Sequence, residues 1–198
     1  MQHLIYLHGF LSSPQSEKAQ LTLAYCRKHF PALSVHTPQL SGNIDKAVHT
    51  IEALVASLPY RRDPLRFIGS SMGGFLSTYF VDKYSDVSDA KAVIVNPAVK
   101  PYELLTDYTG AHINPYSQER FFVTPSSIDK LHQYDVPSIS NHAAYKVLLQ
   151  TGDETLDYRQ ALKKYAGADI CLEEGGDHSF VDFQSHLPSI FRWLLTTQ

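Results

Sequence analysis

Six short apolar runs, separated by stretches of helical period, restrict this 198-residue chain to few architectures. The runs are Leu4–Leu7, Val35–Thr37, Leu65–Ile68, Ala92–Val95, Val147–Gln150 and Ile170–Leu172. Several are apolar at consecutive rather than alternate positions, the pattern of strands covered on both faces of a parallel sheet. Between them, Ile44–Leu58 carries Ile44, Val48, Ile51, Leu54, Val55 and Leu58 on one helical face, and Pro59 stops it. Ser16–His29, residues 72–84, Leu156–Tyr165 and Phe180–Leu195 are the other helix candidates, with Pro188 placed to kink the last. The order β-α-β-α-β-α-β, an interruption, then β-α-β-α predicts an α/β fold with a doubly wound, mainly parallel sheet. The length suits one domain, 1–198, with one core. The interruption, about 100–142, holds Pro101, Pro115, Pro125, Pro137 and several tyrosines, and its only helical hint is Ser127–Tyr134. It reads as a lid-like or binding insert, because a long connection in a compact domain usually serves function.

Residues 67–74 read FIGSSMGG and contain Gly69-Ser70-Ser71-Met72-Gly73, a match to G-x-S-x-G. That motif carries a nucleophile only when a strand precedes it and a helix follows. LRFI and GGFLSTYFVDKY supply both. The strained turn needs glycine on either side of the nucleophile, since a β-carbon there would meet the adjoining strand or helix. Ser71 is therefore the candidate nucleophile, and Ser70 a neighbour with local hydrogen bonds only.

A serine hydroxyl needs a base, and the base needs an orienting acid; in strand–turn–helix serine sites the chain order is Ser, acid, His. His178, in EGGDHSF after the last strand, fits the base. Asp153, in QTGDETLDY after the preceding strand, fits the acid, with Asp107 in ELLTDYTG as a rival. The developing oxyanion needs backbone donors. Met72 N–H follows the nucleophile, and Phe10 N–H lies in the HGF loop after the first strand, where Gly9 lets the backbone approach. His8 is expected to brace that loop. The other histidines lack metal-ligand spacing, so no metal is expected.

A net charge of −3 with no basic block gives no footprint for a nucleic-acid partner. No stretch approaches the roughly 18 apolar residues of a membrane span. MQHLIYLHGF shows no basic, apolar and cleavage-site succession. The expectation is a soluble, cytoplasmic protein. Cys26 and Cys171, far apart and with no CxxC, read as free thiols.

YLHGF, GSSMGG, VNPAVKPYELLTDYTG, QTGDETLDYRQA and EGGDHSF together resemble the YqiA-type esterases of the α/β-hydrolase superfamily, over nearly the whole chain. The resemblance implies serine-esterase chemistry on a small acyl ester or thioester, with no cofactor and with Ser71, Asp153 and His178 as the triad. It implies a sheet of six or seven strands lacking the first strands of larger members, and a wall near the nucleophile formed by Asn96-Pro97-Ala98 and the YELLTDY segment. Tyr102 and Tyr108 are the substrate-wall candidates, among the aromatics that suggest an apolar acyl-binding surface. A peptidase, a carbon–carbon-bond hydrolase or a catalytically silent binding protein would keep the same residues.

Overall fold

The computed structural model describes residues 2–196. In chain order the elements are β1 (His3–Leu7), α1 (Glu17–His29), β2 (Ser34–His36), α2 (Ile44–Ser57), β3 (Leu65–Ser71), α3 (Met72–Lys83) and β4 (Lys91–Pro97). The insert contributes α4 (Pro101–Leu104), β5 (Gly110–Ile113), β6 (Arg120–Val123) and α5 (Pro125–Leu131). β7 (Tyr145–Gln150), α6 (Tyr158–Lys164), β8 (Asp169–Glu173) and α7 (Phe183–Leu195) complete the chain. Six strands form one parallel sheet in the order β2-β1-β3-β4-β7-β8.

The consecutive apolar positions have a direct cause. Ile5, Leu7, Phe67, Ile94 and Val147 face a cluster with α2, α3 and α6. Their neighbours Leu4, Tyr6, Ile68, Val95 and Leu148 face a second cluster with α1 and α7. Alternate side chains of a strand point to opposite faces, so a sheet covered twice needs apolar residues at every position. Arg66, fully buried in β3, is satisfied at the sheet's base by Leu194 O at 2.6 Å and by the Asp89 carboxylate at 2.8 Å.

The insert differs from its sequence reading. β5 and β6 pair antiparallel as a hairpin, with only Phe121 and Val123 of its eight residues buried. Four-residue strands with one covered face leave too short a pattern for periodicity to register. The helical hint is real, as α5 runs on into a 3₁₀ turn at His132–Tyr134. Leu105, Phe121, Val123, Ile128 and Leu131 share the α2–α3 core, so the insert has no core of its own. Glu119 ties the hairpin to the loop before α2, accepting from Ser41 Oγ at 2.5 Å and Gly42 N–H at 3.1 Å.

α7 begins at Phe183 rather than Phe180, because Phe180 and Asp182 have left-handed φ of 64° and 58°. α6 begins at Tyr158 rather than Leu156, with the Asp157 side chain capping Arg159 N–H at 3.0 Å. Among the described residues no helix is long and apolar enough to cross a membrane. Cys26 is a buried free thiol, pushed up to about 12 by desolvation, and Cys171 is free and half-buried.

Candidate active site

The strand order reverses between β1 and β3, whose following helices lie on opposite faces of the sheet. Such a switch opens a crevice at the carboxyl ends of the two strands. Both the HGF loop and Ser71 stand at that edge.

Ser71 ends β3 and precedes α3 with φ 56° and ψ −119°. This left-handed backbone costs a non-glycine residue about 1–3 kcal/mol and is found mostly at functional sites. The neighbouring glycines are forced by contact. A β-carbon on Gly69 would lie 2.2 Å from Gly73 O, and one on Gly73 would lie 1.9 Å from Leu7 O. Both obstacles are backbone and cannot swing aside. Gly73→Ala is therefore expected to cost about 3 kcal/mol or more, at the upper end of overpacking, by forcing α3 off β1. Urea unfolding measures this, and a loss below about 1 kcal/mol would show that the helix shifts freely.

The Ser71 hydroxyl donates to His178 Nε2 at 3.2 Å. His178 Nδ1–H donates to Asp153, 2.9 Å from Oδ2 and 3.0 Å from Oδ1. That tautomer is set by the network, since Asp153 can only accept. The Asp153 side chain is 2% exposed, and its Oδ1 also accepts from Thr155 N–H at 2.9 Å and Leu156 N–H at 2.8 Å. Glu154 Oε2 takes His178 N–H at 3.0 Å, and its carboxyl is held below the usual range by its own and His178's backbone amides. Asp107 sits exposed in the insert.

On the other wall, a β-carbon on Gly9 would stand 3.3 Å from Ser71 Cβ and 3.8 Å from Ser71 Oγ, so the HGF backbone passes directly over the serine. Met72 opens α3, and a first-turn amide has no intrahelical acceptor. Phe10 follows Gly9 in the same loop. His8 braces it: Nδ1–H donates to Gly9 O at 2.9 Å, and Nε2 accepts Leu40 N–H at 3.0 Å.

Residues 3–194 match the Uncharacterised protein family (UPF0227), the YqiA-like family that the motifs resemble. The chain belongs to this family. The fold of this UPF0227 chain recurs in mouse alpha/beta hydrolase domain-containing protein 10, with a TM-score of 0.69, 17% identity and coverage of 96% of this chain and 88% of that one. It recurs in Est1E from Butyrivibrio proteoclasticus with ferulic acid bound, with a TM-score of 0.70, 12% identity and coverage of 98% and 88%. An alpha/beta superfamily hydrolase from Oenococcus oeni PSU-1 gives a TM-score of 0.68 and 16% identity, with coverage of 99% and 94%. At these identities the likeness establishes the α/β-hydrolase fold.

The two tyrosines expected at the substrate wall of this UPF0227 chain part company. Tyr108 packs edge-on against Phe10 at 5.9 Å. Tyr102 lies over His132 with ring centroids 3.8 Å apart and donates to Asp135 Oδ2 at 3.3 Å. It lines a separate cleft of about 640 Å³ whose walls include neither Ser71 nor His178. A smaller apolar cavity of about 30 Å³ adjoins Gly9, Phe10, Leu40, Met72, Leu76 and Leu131, between the loop over Ser71 and the insert.

One residue known in the sequence only as part of the Asn-Pro-Ala wall has a sharper place here. The pairing of β3 with β4 shifts after Ser70↔Val95 to Ser71↔Pro97, leaving Asn96 as an extra residue with φ 39°. A bulge of this kind re-aims the chain beside a site, and asparagine tolerates the left-handed region. Only the dipeptide Asn-Pro hinted at it. Elsewhere, Cys171, Glu173 and His186 each place one donor atom within 4.8 Å of the others, with Glu173 Oε1 3.0 Å from His186 Nε2. That group lies on β8 and α7, outside the Ser71 crevice.

Burial pushes the His8 imidazole below its ordinary value, and burial with the charge of His3 does the same for His36. The unfolded chain then takes up protons that the folded chain refuses, so stability falls as pH drops below about 6.5. His8→Gln is expected to flatten the fall of the thermal midpoint between about pH 6.5 and 5. An unchanged slope would assign the acid sensitivity to other groups.

Proposed function

We propose that this chain is a serine esterase, hydrolysing carboxylic esters or thioesters through an acyl-enzyme on Ser71. The observation that carries the reading is the continuous relay from Ser71 Oγ to His178 Nε2 at 3.2 Å and from His178 Nδ1 to Asp153 at 2.9 Å, mounted on a strained turn.

Ser71 Oγ attacks the ester carbonyl while His178 Nε2 takes its proton. Asp153 holds the imidazole in the accepting tautomer and stabilises the imidazolium. The carbonyl oxygen becomes an anion facing the Phe10 and Met72 amides. Collapse breaks the bond to the alcohol or thiol, which leaves with the proton from His178. Water then attacks the acyl-enzyme, giving its proton to His178, and the acid is released as Ser71 recovers its own. In this reading the apolar surface of Phe10 and Met72, with Tyr108 packed edge-on against Phe10, forms the wall for the acyl group. Est1E binds ferulic acid, a carboxylic acid, which is the product class of this reaction.

A fluorophosphonate probe followed by peptide mapping, with p-nitrophenyl esters and acyl thioesters of graded chain length, tests the proposal. Modification at Ser71 and turnover of at least one series are expected. An unlabelled Ser71 would mark a catalytically silent binding protein, and labelling with turnover only of peptides would mark a peptidase.

A further inference from the structure

The loop that carries His178 has little means of holding itself. Gly175, Gly176, Phe180 and Asp182 all have positive φ, at 79°, 73°, 64° and 58°. A backbone so irregular cannot run a helical or strand ladder, and the bond within it is Phe180 N–H to Asp177 O at 3.1 Å. The remaining polar groups need partners from outside, or His178 would not stay within reach of Ser71.

Glu154 takes His178 N–H, Lys18 Nζ donates to Ser179 O at 2.6 Å, and Thr151 and Gly152 hold Gly175, while two buried side-chain amides bind residues 177, 178 and 181. Gln150, the last residue of β7, is 4% exposed. Its Oε1 accepts from Val181 N–H at 2.9 Å and Asp177 N–H at 3.3 Å, and its Nε2 donates to Val181 O at 3.0 Å. Asn96, the bulge residue of β4, is 2% exposed. Its Nδ2 donates to Asp177 O at 2.9 Å and His178 O at 3.4 Å, while its Oδ1 accepts Gln150 N–H at 3.1 Å. The Asn96 amide is thus bonded to the backbone N–H of Gln150, and the two side chains together hold the loop on both sides of His178. A β-carbon on Gly176 would lie 2.0 Å from Gln150 Oε1, so the loop backbone is seated on the amide itself.

The orientation of the Gln150 amide is fixed from behind. Its Nε2 also donates to Glu173 Oε2 at 2.9 Å, and the other oxygen of that carboxylate pairs with His186 Nε2 at 3.0 Å. Turning the amide over would set its oxygen against a carboxylate and a carbonyl, and its NH₂ against two N–H donors.

We propose that Gln150 and Asn96 are positioning residues for His178, locking the loop so that Nε2 stays on Ser71 Oγ. This rests on the reading of His178 as the base. Neither side chain bonds to Ser71 or to the imidazole, so both act through the backbone of residues 177, 178 and 181. Losing an amide leaves buried donors unpaired and frees the loop. The damage falls on proton transfer rather than on substrate binding.

The full chain carrying Gln150→Met, which keeps length without the amide, or Asn96→Gly, which keeps the left-handed φ without the side chain, provides the test. Hydrolysis of p-nitrophenyl acetate is expected to lose ~10- to 100-fold in kcat, the scale of a small misplacement of a catalytic group. KM is expected to stay within about threefold, as for an interaction that matters chiefly in the transition state. In parallel, the downfield proton resonance of the imidazole N–H bonded to Asp153 should broaden or vanish in the substrate-free variants. If Gln150→Met does not fold, Asn96→Gly decides on the same readouts. A resonance unchanged by the substitutions, or kcat within twofold of the parent, overturns the proposal. A parent chain that hydrolyses no ester and leaves Ser71 unlabelled overturns the esterase reading instead, and the resonance is read without substrate.

Discussion

Asp153→Asn is expected to lower kcat for a p-nitrophenyl ester by ~10³- to 10⁴-fold while the protein stays folded. The size of the loss follows from where the new amide must point. Asp153 Oδ1 accepts from Thr155 and Leu156 N–H at 2.9 and 2.8 Å, so an asparagine at this position turns its carbonyl oxygen toward them. Its NH₂ then faces His178 Nδ1, where Asp153 Oδ2 now accepts at 2.9 Å. The imidazole is forced to accept at Nδ1 and to carry its proton on Nε2, the atom facing Ser71. A base already protonated toward the nucleophile cannot take its proton. The loss should appear in kcat more than in KM, with a thermal midpoint near the parent's. A loss below tenfold would show that Asp153 does not set the tautomer.

Ser71→Ala is expected to lower turnover by at least ~10³-fold, leaving what the proposed oxyanion donors and binding contribute. It is also expected to abolish fluorophosphonate labelling. Folding should survive, because the hydroxyl's hydrogen bond is to a half-exposed imidazole and its removal leaves no buried donor stranded. Ser70→Ala serves as the comparison. Ser70 precedes the turn, is 7% exposed and pairs in register with Val95, so its loss should leave turnover within about twofold. Damage at Ser70 with Ser71→Ala fully active would reverse the assignment.

Much of the site was legible because its requirements are local. Consecutive apolar residues report two covered faces at any strand, and the strand–turn–helix around FIGSSMGG depends on residues adjacent in sequence. Gly69 and Gly73 followed from the need for close approach, and the contact distances now say which atoms they avoid. The order of Ser71, Asp153 and His178 could be read because each follows a strand, and parallel strands deliver their following loops to one edge of the sheet.

Other features depended on which strands become neighbours. Tyr102 and Tyr108 lie in one segment, yet one packs on His132 and the other on Phe10, because their surroundings come from different parts of the chain. The β5–β6 hairpin is too short for its pattern to stand out. The bulge at Asn96 exists only as a mismatch of register between β3 and β4. The amide clamp likewise requires β7 to lie between β4 and β8, bringing Gln150 within reach of Asn96 and Glu173. The sequence by itself determined the layered α/β architecture, the turn under Ser71 and the three candidate residues, since periodicity and tight turns are properties of contiguous residues. The tertiary structure alone decided the 3.2 Å approach of His178 to Ser71, the packing of Tyr108 on Phe10 and the two amides beneath the His178 loop. Those are hydrogen bonds and contacts between distant segments, and their directions are set by packing.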